Sequence, residues 1–106
     1  MPSESAQIAL PFFAATCALA VHPGNLQERL ADAYADHLLQ VTVGTLPVEL
    51  QPSFRELEER LNVAVEAGED ADPYEAAARQ LSDEAARALI ERIIVLYGRL
   101  VSHATR

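Results

Sequence analysis

Apolar residues return every three or four positions along most of this chain, and no strand pattern is read beside them. The pattern predicts helices and no strands. Turn and cap residues separate the periodic segments. A first helix is expected from Ser5 or Pro11 to Val21, with Pro11 in its first turn or kinking a longer helix. His22-Pro23-Gly24-Asn25 then breaks the chain. Asn25 and Glu28 have the spacing of a capping box, which starts a second helix at Leu26 and carries it to about Val41. Gly44 should close that helix. Pro52 is placed to open a third, which Gly68 ends. Asp72-Pro73-Tyr74-Glu75 and Ser82-Asp83-Glu84 are two further start signals. They predict a short fourth helix and a separate last helix from about Asp83 to Ser102, in preference to one long helix. The expected architecture is an all-α bundle of four to five helices with short connections, forming a single domain over residues 1–106.

The faces of these helices differ. In the third, Leu50, Phe54, Leu57, Leu61 and Val65 make one narrow apolar stripe, and the acids and arginines mostly occupy the other side. The last helix contains Ile90–Val101, in which eight of twelve residues are apolar, too many for one stripe. One seam holds Leu89, Ile93, Leu96 and Leu100; the next holds Ile90, Ile94, Tyr97 and Val101. Together they span roughly 160° of the helix, against about 100° for an ordinary surface helix. Such a helix is either central in its own bundle or packed against a second subunit. Arg92, Arg99 and His103 border the first seam like a polar rim. That seam, Leu89, Ile93, Leu96 and Leu100, is therefore expected at a subunit interface, with the second in the core.

Composition narrows the functional classes. Sixteen acids against eight arginines, with no lysine, give a net charge of −8, which repels nucleic acid and anionic membrane surfaces alike. The apolar run Ile8–Val21 follows an acidic flank without a basic residue and contains Pro11, so it does not read as a signal peptide. It is also too short to span a bilayer, and a core helix of a cytoplasmic protein is expected. The one cysteine, Cys17, excludes an internal disulfide and the four-ligand zinc sites built on paired cysteines. Set among small apolar residues, it is expected to be buried and inert.

Candidate chemistry is sparse. His37 falls in the apolar stripe of the second helix beside Leu30, Ala33, Tyr34 and Val41, while Glu28, Asp32 and Asp36 form an acidic ridge opposite. Carboxylate metal sites in bundles use a Glu with a His three residues later, and that spacing never occurs here. A packed histidine, a solvated ridge, no metal and no cofactor are expected. The serines fall at termini, caps or helix starts, and the scattered glycines make no phosphate-binding loop. No residue set predicts catalysis, so the chain is expected not to be an enzyme. The leading expectation is a protein-interaction or regulatory module, homodimeric through its C-terminal helix and open to an unknown protein partner. One alternative is a small-molecule-binding bundle with an apolar pocket near Tyr34, His37 and Tyr97. Another is an acidic mimic that occupies a nucleic-acid-binding protein, against which the arginines on most helices weigh.

Overall fold

The computed structural model describes residues 4–62 and 78–104. Among them there is no strand, and the chain is an all-α bundle. Its main helices are α1 (Glu4–Val21), α2 (Leu26–Ala33), α3 (Gln51–Asn62) and α4 (Asp83–Ala104). Two single 3₁₀ turns, Val43–Thr45 and Val48–Leu50, lie between α2 and α3.

The cap residues act where their spacing places them. The Glu28 N–H donates to Asn25 Oδ1 at 2.8 Å and the Asn25 N–H to Glu28 Oε1 at 3.4 Å, closing the capping box that starts α2. Before α4, Ala78 and Arg79 are helical and the chain breaks over residues 80–82. Ser82 Oγ then accepts from the Ala85 N–H at 3.1 Å, so the last helix starts afresh. Gln27 Nε2 donates to Leu81 O and Asp83 Oδ1, fixing this break against the first turn of α2. With α2 folded back on α1, that bond makes α4 run antiparallel to α1. The third helix begins at Gln51, with Pro52 in its first turn. Its expected end at Gly68, Val65 of its stripe and the start signal at Asp72-Pro73 lie outside the described residues.

Of the two starts expected for α1 the earlier is found, and Pro11 sits inside the helix. One element departs from expectation: the second helix stops short of Val41. Beyond Ala33 it widens into a π turn over Tyr34–Leu38, in which the Leu39 N–H donates to Tyr34 O at 2.9 Å. An α-helix drifts by about 40° every four residues, and the wider turn counters that drift. Leu30, Tyr34 and Leu38 all remain in the core as a result. The β-branched run Val41-Thr42-Val43 then resists helix, and Thr42 is extended. Gly44 therefore falls in a 3₁₀ turn rather than at the end of α2.

Every element contributes to one core. Phe12 of α1 meets Phe54 of α3 edge-on with ring centroids 5.6 Å apart. Leu50, Phe54, Leu57 and Leu61 are all buried, as their stripe predicts. On α4 the seam expected at a subunit interface is the one the chain itself buries. Leu89, Ile93, Leu96 and Leu100 are in the chain's own core, at most 3% exposed, whereas Ile94 is 44% and Val101 38% exposed. The cause is the supposed rim. Arg92 donates from Nη1 to Ser53 Oγ at 3.0 Å and pairs through Nη2 with Glu56 at 3.3 Å. His103 Nε2 lies 2.6 Å from Glu49 Oε1. These polar groups face α3 and the turn before it, which cover that flank of α4.

Candidate functional site

No charged residue occurs between Ile8 and Val21. A helix that is apolar all round needs cover all round. Ala9, Phe12, Ala15 and Leu19 of α1 are buried in the core. The opposite side is bare: Leu10 is 62%, Phe13 49% and Val21 80% exposed. Cys17, expected in the core, is exposed with them. A core this small covers one side of α1, and Cys17 is on the other.

This bare side is continuous with the outer seam of α4. Phe13 packs on Tyr97 with ring centroids 5.7 Å apart at 45°. Tyr97 and Ile90 are half-buried, and Ile94 and Val101 stand beyond them. Gly98 lies among these residues, one turn after Ile94, and a Cβ built on it would meet nothing within 4 Å. The exposed parts of these side chains make an apolar face on the order of 500 Å², at the upper end of what a monomer leaves uncovered. Arg87 and Glu91, both exposed, stand at its edge on α4.

The other candidate residues are placed elsewhere. Tyr34 is 1% exposed in the core, His37 is half-buried on the π turn, and Tyr97 faces Phe13. Neither described cavity includes any of the three. One, of about 280 Å³, is lined by Glu49, Leu50, Arg99, Ser102 and His103. The other, of about 200 Å³, lies between Ile8 and Pro11 of α1 and the segment Gln40–Thr45. The π turn carries Tyr34 into the core with Leu38. Two members of the acidic ridge have internal work: Glu28 caps α2, and Asp32 Oδ2 lies 2.6 Å from His22 Nε2.

That His22–Asp32 pair resembles the base of a catalytic relay, but its geometry serves the turn. The Gly24 N–H donates to His22 Nδ1 at 2.8 Å. Nδ1 is thus the acceptor, the ring proton is on Nε2, and Nε2 donates to Asp32. Both ring nitrogens are engaged, so neither lone pair is left to take a substrate proton. Among the described residues no group of three or more His, Cys, Asp or Glu is placed to hold a metal ion, and no helix is long and apolar enough to cross a membrane.

The α1–α4 face was partly legible in the sequence. The double seam of α4 showed surplus apolar surface but not which seam was spare. The stronger signal was the uncharged run Ile8–Val21, which has no polar side to give to water. Comparison with protein families, with curated proteins and with solved structures finds no match to this chain.

Proposed function

We propose that this chain is a non-enzymatic interaction module that presents the outer face of α1 and α4 to another protein chain. The observation that carries this reading is the uncharged helix α1, with Leu10, Phe13 and Val21 about half exposed or more beside the bare seam of α4. Apolar surface of this extent is stabilised by removal from water at about 25 cal/mol per Å², which favours association. The remaining chemistry supports the same class, since the histidine–carboxylate pairs hold turns and helix ends together.

The experiment is size fractionation of the tagged full chain in extract of its native host. The wild type should elute well above its monomer mass. A Phe13→Glu, Ile94→Glu variant of unchanged helical content should elute as a monomer. A wild type that elutes as a monomer in the extract would remove the basis for an interaction module.

A further inference from the structure

Resting on that interaction reading, we propose that the occupant of the α1–α4 face is a second copy of this chain. The two copies are related by a twofold axis, and α1 and α4 of each form a four-helix interface. Such a contact is isologous: the same patch is used twice and must complement itself.

Three observations favour a second copy over a different partner. The first is area. One face of about 500 Å² doubles across the axis to about 1,000 Å², the threshold for a specific interface, and both copies cover this face in one contact. The second is shape. The face has a ridge, where Leu10 and Phe13 project from α1, and a notch, where Gly98 interrupts the outer row Ile94, Gly98, Val101 of α4. A twofold axis sets each ridge against the notch of the other copy. Gly98 needs this explanation, because glycine inside a 22-residue helix is unfavourable and no described residue comes close enough to require it. The third is charge. Among the described residues the charged groups beside the face are Arg87 and Glu91, of opposite sign and one turn apart on α4. A basic partner would be drawn to the surplus acids elsewhere on the molecule, whereas an apolar, self-complementary patch suits a copy of itself.

The test is sedimentation equilibrium of the purified full chain, with circular dichroism on the same samples. The wild type should be a dimer, and added salt should leave association unchanged or tighten it by screening the repulsion between two chains of charge −8. Ile94→Glu should weaken the dimer by at least about a hundredfold, because it buries an unpaired carboxylate. Gly98→Leu should show opposite signs in its two readouts. Helix content should hold or rise, since leucine is the better helix former and its Cβ meets no described atom within 4 Å. Association should fall at least about tenfold as the notch fills. If Ile94→Glu unfolds, Gly98→Leu decides the matter alone. A purified wild type that is monomeric at roughly millimolar concentration, a Gly98→Leu variant that dimerises normally, or a dimer that salt dissolves would each overturn the proposal. A purified monomer that still elutes as a large species in host extract would overturn the second copy and leave the interaction module standing. A monomer in both would overturn both.

Discussion

Replacing Gly24 by alanine should be destabilising, for a reason that lies in the His22 ring and not in the backbone. No glycine among the described residues has a positive φ. On backbone grounds alone the change would therefore stabilise the fold by about 0.5 kcal/mol, through the lower entropy of the unfolded chain. The structure predicts the opposite sign. A Cβ at position 24 would lie 2.7 Å from His22 Cε1, 3.0 Å from His22 Nδ1 and 3.0 Å from Glu28 Cβ. The ring has to swing away, and in doing so it loses the Gly24 N–H donation at 2.8 Å and the contact with Asp32 at 2.6 Å. Each hydrogen bond contributes about 1 kcal/mol, and somewhat more where one partner is charged. Asp32 is nearly half exposed, so the net loss should be about 2 kcal/mol after the entropic gain. For a domain of this size that lowers Tm by about 10 °C. Urea and thermal unfolding of Gly24→Ala, His22→Ala and the double variant would measure it. In the His22→Ala background only the Glu28 Cβ contact remains, and the added cost of Gly24→Ala should shrink to about 0.5 kcal/mol. A Gly24→Ala variant as stable as wild type would refute the steric argument. An equal cost in both backgrounds would show that the ring is not the obstacle.

Three further outcomes are expected. Leu96→Glu places a carboxylate at a position 1% exposed, and its cost of more than about 5 kcal/mol is comparable with the whole stability of such a domain. Circular dichroism should show that variant unfolded while Ile94→Glu stays helical, and the reverse pattern would invert the assignment of the two α4 seams. Asn25→Ala removes the oxygen that accepts from the Glu28 N–H and should lower stability by about 1 kcal/mol in urea titration; no change would mean that the box does not hold α2. Burial pushes the Glu58 carboxyl above its ordinary value of 4.5, with the Arg55 guanidinium opposing. A raised carboxyl pKa favours the protonated fold, so this contribution is present below pH 4.5 and is lost as pH rises through the folded value. Glu58→Gln should therefore gain stability relative to wild type above that window, and a urea midpoint difference that does not vary with pH would contradict the cause assigned.

The local signals in this sequence determined its local structure. Asn25 with Glu28, Pro52, and Ser82 with Asp83 mark where helices start, because a cap satisfies backbone N–H groups within three residues and needs nothing distant. The stripe of α3 marked its buried side for a similar reason: only one face was apolar. The sequence was silent where the choice lay between two apolar faces. On α4 both seams are suited to burial, and the decision fell to α3 and the turn before it, whose Ser53, Glu56 and Glu49 engage Arg92 and His103 on one flank. On α1 every position from Ile8 to Val21 was apolar or small, so periodicity had no contrast to report, and Cys17 could be placed in or out only by the packing of its neighbours. The π turn was hidden too, since Leu30, Tyr34 and Leu38 are a plausible α-helical spacing until the core requires all three at once. Caps and turns are short-range and written in order. Which of two apolar surfaces is covered depends on how much surface the rest of the chain brings to meet it, and that is settled only when the helices pack.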